Sequence, residues 1–284
     1  MSRSRLVPGA EVVAVPGRGV ALRTPEGDFL RVWTPEGGEP ALLDRLAGLP
    51  TSRTDEETDR VLAAFENAGY LADAPEPPEW PEARGDVRLV GDATLIDPLA
   101  AQLTALGARP RLAGPATSTT AATELIGDLT RAAPAAVVWC LDGPVPDGLW
   151  DAADRLPERG IAWLRCHREG RQAYAEPLAV GPRDVTSAHV RGRRLAATAA
   201  HRELAAYWSG PRTTGAPVRI TAPAAALLAA LLADDLHRWA TDTPRRTGLP
   251  ARRRLRRVDL DTLTVTEHPV LPVPPVAAPP KQGG

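Results

Sequence analysis

The chain has 284 residues, a formal net charge of -1 at pH 7 and two cysteines, Cys140 and Cys166. That length predicts about two domains and is ample for a buried core, while the near-neutral charge excludes a global field drawing the chain to nucleic acid or a membrane surface. No stretch approaches the ~20 apolar residues of a membrane span. The first six residues lack the apolar core of a signal peptide, and two cysteines do not make a disulfide scaffold, so a reducing cytoplasmic setting is expected.

In chain order, Glu11–Val15 and Val20–Thr24 are β-rich runs joined by Pro16-Gly17-Arg18-Gly19, whose glycines are free to take positive φ. Pro25-Glu26-Gly27-Asp28 is a second turn, and Phe29–Trp33 is a third strand with aromatic and branched residues. The period then changes: Ala41, Leu42, Leu43, Leu46 and Leu49 recur at helical spacing. Thr54-Asp55-Glu56-Glu57 reads as a helix start, because Thr54 can cap and acids suit the positive helix end. Val61, Leu62, Phe65, Ala68 and Leu71 share one face of that helix, and Gly69 is its C-terminal stop.

This meander and helix cluster predicts a small winged-helix module over residues 1–74. Its EVVAVPGRGVALRTPEGDFLRVW and DEETDRVLAAFENAGYL segments resemble the PqqD-like recognition element of ribosomal peptide-modifying (RiPP) systems. In that family a leader peptide adds as a strand beside the third strand and is held against the last helix. The resemblance therefore implies leader contacts from Phe29, Leu30, Arg31, Val32 and Trp33 on the strand and from Arg60, Val61, Ala64 and Phe65 on the helix. A DNA-reading winged helix is the competing reading. The helix Glu56–Leu71 carries Glu56, Glu57, Asp59 and Glu66 against Arg60, whereas a groove-reading helix should be net positive.

Residues 75–85 are proline-rich and acidic and read as a stiff linker. From 86 to 272 strands alternate with helices: Asp86–Gly91 strand, Leu95–Leu106 helix, Arg109–Ala113 strand, Ala116–Leu129 helix, Ala135–Leu141 strand, Leu149–Leu156 helix, then Ile161–Arg165 and a returning Arg171–Val180. That order predicts an α/β domain with a mostly parallel sheet covered by helices. Arg193–Trp208 and Ala222–Ala240 read as helices, with Asp234, Asp235 and Arg238 marking where solvent or a partner begins. Arg257–Asp261 and Leu263–Glu267 read as a strand pair, and the basic run Arg252–Arg257 reads as its solvated entrance in preference to a patch for nucleic acid or for an acidic leader or partner. A proline-rich, loosely ordered tail is expected at 273–284.

The order of parts widens the resemblance. With DVRLVGDATLIDPLAAQLTALGA, RGIAWLRCHREGRQAYAEPLAVGP and RRVDLDTLTVTEHPVLP, the chain is similar from about Leu6 to Pro272 to the ThiF-like (Ocin-ThiF-type) partner proteins of azole-forming cyclodehydratases in thiopeptide and related clusters. The resemblance implies a reduced ThiF-like, Rossmann-type α/β half. It also implies a leader-binding scaffold that presents a precursor peptide to a separate YcaO enzyme, with a homodimer through the α/β domain as a further expectation.

The chemistry carried by the residues is sparse. The turn after the first strand of the α/β half is Gly91-Asp92-Ala93-Thr94, with one glycine where a phosphate-binding turn has three and an acid where phosphate would sit. Family members often carry paired cysteines for structural zinc, but the matching stretches after Pro182 and after His268-Pro269 contain none. Cys140 and Cys166 read as core thiols, and His189 and His201 as surface or helix-packing residues. The expectation is a protein with no catalytic residues, metal or cofactor. The alternatives are a ThiF-type ATP-dependent adenylating enzyme and a winged-helix transcriptional regulator.

Overall fold

The computed structural model describes residues 5–34, 37–47, 56–72, 78–114, 116, 118–210, 213, 215, 216, 218–245 and 247–273. The predicted cap at Thr54 and Asp55, part of the predicted linker and nearly all of the tail lie outside them. The chain divides into two units, Met1–Pro78 and Glu79–Gly284, and each stands by itself below.

In the first unit, β1 (Arg5–Leu6), β2 (Glu11–Val15), β3 (Gly19–Arg23) and β4 (Phe29–Val32) precede α1 (Glu39–Leu46), α2 (Glu56–Asn67) and β5 (Leu71–Ala72). β2, β3 and β4 form an antiparallel meander with β3 in the middle, while β1 and β5 make a separate antiparallel ribbon. Alternation places Val20 and Leu22 inward, where both are buried. Leu22, Phe65 and Leu71 form the core, with Val12, Val32, Leu46, Val61, Leu62 and Tyr70 packed against it.

α2 stops in a Schellman motif. Gly69 sits at φ +76°, its N–H donates to Glu66 O at 2.9 Å, and the Tyr70 N–H donates to Phe65 O at 2.8 Å. The Phe65 and Tyr70 rings meet edge to face at 6.4 Å, the apolar contact that accompanies such a stop. Leu71, placed on the helix face by its spacing, lies beyond this stop and pairs with Leu6 in the ribbon.

In the second unit, β6 (Asp86–Gly91), α3 (Ala93–Ala105), β7 (Arg109–Leu112), α4 (Thr119–Ala132), β8 (Ala136–Leu141), β9 (Ala162–Glu169), β10 (Gln172–Ala175), α5 (Ser187–Ala196), α6 (His201–Ser209), α7 (Ala222–Ala240), β11 (Arg254–Asp259) and β12 (Val265–Pro269) follow in order. One seven-stranded sheet runs β12-β11-β10-β9-β8-β6-β7. Its β7-β6-β8-β9 half is parallel and its β9-β10-β11-β12 half antiparallel, so the sheet is mixed rather than mostly parallel. The reason is local: Glu169-Gly170-Arg171 turns β9 straight back, which leaves no room for a crossover helix.

Helices α3 and α7 cover one face through Leu99, Leu103, Leu228, Leu232 and Leu236, with Trp80 buried among them. α4 and the 150s segment cover the other through Ile126, Leu129, Trp139, Trp150 and Trp163. The architecture is therefore α/β.

Three segments differ from their periodicity. The expected Leu149–Leu156 helix is a run of turns ending in a 3-10 segment, Ala153–Arg159. Pro157 removes an α-type donor and disfavours helical geometry just before it. The expected single helix Arg193–Trp208 is two, α5 and α6, and in the gap the Thr198 hydroxyl accepts the Ala200 N–H at 3.2 Å, a local bond that competes with helix.

The third difference concerns the basic run. β11 begins at Arg254, not Arg257, and Arg254 and Arg256 are buried rather than solvated. Asp235 on α7, expected at the solvent boundary, is 4% exposed and holds both. Arg256 donates to its carboxylate at 2.5 and 3.0 Å, Arg254 donates to the same carboxylate, and the carbonyls of Leu249 and Leu231 take further guanidinium protons at 2.9 and 3.1 Å.

His189 closes a capping box at the start of α5. Its N–H donates to Thr186 Oγ1 at 3.2 Å, and its Nδ1 accepts the Thr186 N–H at 3.2 Å, so that nitrogen must be unprotonated. Burial, aided by Arg165 and Arg193 and opposed by Asp154, lowers its pKa below 6.5. A lowered histidine favours the fold fully above its unfolded pKa of about 6.5 and loses that contribution as pH falls below it. Measured against the intrinsic exchange rate at each pH, the amides of α5 are expected to be less protected at pH 5.5 than at pH 7.5, by a cap's worth of about 1 kcal/mol or less. His189→Gln, which keeps the box without a titrating ring, should remove that difference.

Candidate functional site

β4 ends the meander, with no strand on its outer side among the described residues. The Thr24 N–H donates to Asp28 O at 2.8 Å, which anchors the ladder. Bonded and non-bonded pairs alternate in an antiparallel ladder. Counting along the register, Leu22–Leu30 and Val20–Val32 exchange hydrogen bonds, whereas Arg23–Phe29 and Ala21–Arg31 do not. The N–H and C=O of Phe29 and Arg31 therefore point away from the sheet, and Trp33 continues the alternation. Phe29 and Trp33 are 64% and 71% exposed, which is unusual for side chains of their size.

Between this edge and α2 lies an open, mainly apolar groove of about 490 Å³. Leu22, Leu30 and Val32 form its sheet wall, and Val61, Ala64, Phe65, Ala68 and Tyr70 its helix wall. The small Ala64 and Ala68 leave the room. Arg31, Trp33, Glu57 and Arg60 also line it. Of the nine residues singled out in the sequence, eight line this groove, and Phe29 adds the outward edge of the same strand. Sequence reasoning missed four lining residues, Leu22 on the middle strand and Glu57, Ala68 and Tyr70 on or after the helix. Ala68 and Tyr70 follow from carrying the helix face one turn further and through its Gly69 stop.

A second place to test is the switch point between β6 and β8, where the crossovers leave the sheet in opposite directions and open α/β sheets bind nucleotides. Gly91 ends β6 at φ +120°, packed against the Cys140 carbonyl. The Asp92 carboxylate accepts the Asp142 N–H at 2.7 Å, and Asp142 is itself paired with Arg168. The turn thus gathers two carboxylates where phosphates would be cradled and spends its cation on one of them. These residues do not fit the phosphates of a nucleotide.

Elsewhere, β9 and β10 bring together side chains that were far apart in the reading of the sequence. Arg165 donates to Glu176 at 2.6 Å. Arg194 makes a bidentate pair with Glu169 at 3.0 and 2.6 Å, the Trp208 indole donates to Glu169 at 2.8 Å, and His167 stacks on Tyr174 at 5.2 Å. Burial alone would raise the Glu169 pKa, but the hydrogen bonds from His167 and Arg194 outweigh it and hold the carboxyl well below its usual range. Both carboxylates act as counter-ions to arginine, and the cluster leaves a nook of only about 20 Å³.

Cys140 and Cys166 are free and buried, as core thiols should be, but they are register neighbours across β8 and β9 rather than isolated. A hydrogen bond between them, together with burial, pushes the Cys140 thiol up. Among the described residues no three His, Cys, Asp or Glu side chains are placed to hold a metal ion, and no helix is long and apolar enough to cross a membrane.

No family model matches the chain, and no curated protein matches it. Solved structures do. A heterocyclase in complex with substrate and cofactor aligns with a TM-score of 0.57 at 16% identity, over 94% of this chain and 38% of its own. The heterocyclase TruD gives 0.56 at 18%, over 94% and 41%. E. coli MccB, solved with AMPCPP and MccA, gives 0.57 at 11%, over 96% and 98%. The chain spans about two fifths of the two heterocyclases and nearly the whole of MccB. At these identities the likeness establishes the fold: this chain has the α/β architecture shared by those heterocyclases and MccB.

Proposed function

We propose that this protein is a leader-peptide-binding scaffold of a peptide cyclodehydratase. It holds the leader of a ribosomal precursor and presents the core to a YcaO partner, which forms azolines at Cys, Ser or Thr. The observation that carries the reading is the free edge of β4 beside the apolar groove. The first unit acts as a PqqD-like winged-helix module. A leader strand satisfies the outward backbone groups of Phe29, Arg31 and Trp33, and its apolar side chains enter the cleft beside Val61, Ala64 and Phe65. Main-chain bonds supply affinity and the groove supplies selection.

The α/β unit docks the cyclase or a second copy and carries no chemistry of its own. The acidic, single-glycine turn at the switch point supports that part of the reading over an adenylating enzyme. Tethering the leader raises the effective concentration of the core at a distant active site. The fold shared with a heterocyclase solved with its substrate supports the setting.

Arg31→Pro tests it. The Arg31 amide faces outward, so the substitution removes no ladder bond and the unit should fold with an unchanged circular dichroism spectrum. The leader loses one main-chain bond, worth about 0.5–1.5 kcal/mol, and meets a ring. Polarisation titration of a labelled leader is expected to show affinity about tenfold lower or worse. A folded variant with unchanged affinity would show that the peptide does not add to β4.

A further inference from the structure

Arg31 alternates with Leu30 and Val32, so its side chain leaves the face of the meander turned away from α2, while the residue also borders the groove at the free edge of the strand. Arg23, the other cation on that face, pairs with Glu11 at 3.7 Å, but Arg31 has no ion-pair partner among the described residues and is exposed. It lies between Phe29 and Trp33 on the strand whose edge is free.

We infer that the strand accepted by β4 carries an acidic residue opposite Arg31, flanked on both sides by large apolar residues. This rests on the proposed addition of a peptide to β4 and specifies its chemistry. The outward bonds of β4 belong to Phe29, Arg31 and Trp33, so an antiparallel strand makes a hydrogen-bonded pair at Arg31, and a parallel one sets a register neighbour beside it. The side chain at that pair stands on the same face as Arg31, within reach of the guanidinium.

Its two neighbours point to the opposite face, because side chains alternate along a strand. That face is the one on which Leu30 and Val32 look toward α2, so these neighbours sit over the groove floored by Ala64 and Ala68. The groove carries both an acid and a cation on the helix side, Glu57 and Arg60, and Arg60 is already paired with Glu56 at 3.6 Å, so the cation left to a peptide carboxylate at the strand edge is Arg31. A central lysine or arginine would instead meet Arg31 like to like. The pattern apolar–acidic–apolar is symmetrical, so it holds for either strand direction.

A library of nine-residue peptides randomised at every position tests this, selected in parallel on the full-length chain and on Arg31→Glu. Ala64→Trp, which fills the groove from an exposed helix position, serves as the counter-selection. Arg31 is exposed, so its variant should keep the native circular dichroism spectrum.

Peptides that bind the native chain but not Ala64→Trp are expected to carry Asp or Glu between two large apolar residues. On Arg31→Glu the central residue should change to Lys or Arg. A synthetic pair differing only in that residue should reverse its order of affinity between the two proteins, by about tenfold at low salt, with the gap closing as salt rises. Groove-dependent peptides indifferent to the charge at position 31 would overturn the inference while leaving peptide addition in place. An absence of any groove-dependent peptide would overturn both.

Discussion

Asp235→Ala is expected to destabilise the α/β unit by about 3–5 kcal/mol, the range for removing one partner of a buried ion pair. The carboxylate is 4% exposed and is shared by two guanidiniums that are themselves buried, Arg254 on 2% and Arg256 on 1%. Both protons of a bidentate Arg256 pair and one of Arg254 end on it. Without it, the remaining acid within reach is Glu267, at 3.5 and 3.4 Å and more exposed, which cannot neutralise two buried cations. Burial already pulls the Arg254 pKa down against the attraction of Asp235, a sign of how much this guanidinium depends on its counter-ion. In a unit of this size 1 kcal/mol moves the melting temperature by about 2–4 °C, so calorimetry should show a fall of roughly 6–20 °C. A triple variant, Asp235→Leu with Arg254→Met and Arg256→Leu, removes all three charges together and should recover most of the loss. A single variant that melts as the native chain does would mean that water reaches the cluster.

Gly91→Ala should be worse still. A Cβ built at this glycine lies 1.8 Å from the Cys140 carbonyl oxygen and 2.8 Å from its carbon, both backbone atoms of the interior strand β8. Neither strand can move without tearing the ladder that pairs Gly91 with Cys140. The φ of +120° adds strain for any residue with a side chain. A loss above about 4 kcal/mol, enough to leave little folded α/β unit, is expected in denaturant titrations. Gly127→Ala in α4 is the control: its Cβ would meet open space, and a helical glycine replaced by alanine should gain about 0.5–1 kcal/mol.

The contrast between these sites shows what could be read in the residues. The groove was legible because its two walls lie close in the chain and each has a period: alternation in Phe29–Val32, and helical spacing through Val61, Ala64 and Phe65. α7 was legible to its ends, since Thr221 caps it and its leucines keep one face. Arg254 and Arg256 were not, because arginine is rarely buried unless paired and the partner sits on another element, 19 and 21 residues away. The Glu169–Arg194 and Arg165–Glu176 pairs were hidden for the same reason. The split between α5 and α6 was hidden because one threonine hydroxyl decides it, a local bond that apolar periodicity does not register.

The bare edge of β4 also has a consequence for handling and for supply. A strand with outward backbone groups and large exposed apolar side chains pairs with whatever extended chain it meets, another copy of itself included. Whatever strand fills that place also shields it. Solubility should therefore follow the ratio of protein to the peptide proposed above: excess protein is expected to clump with rising concentration, and matched amounts to stay dispersed. Under the proposed function, production of the two in step would protect the pool as much as it feeds the partner enzyme.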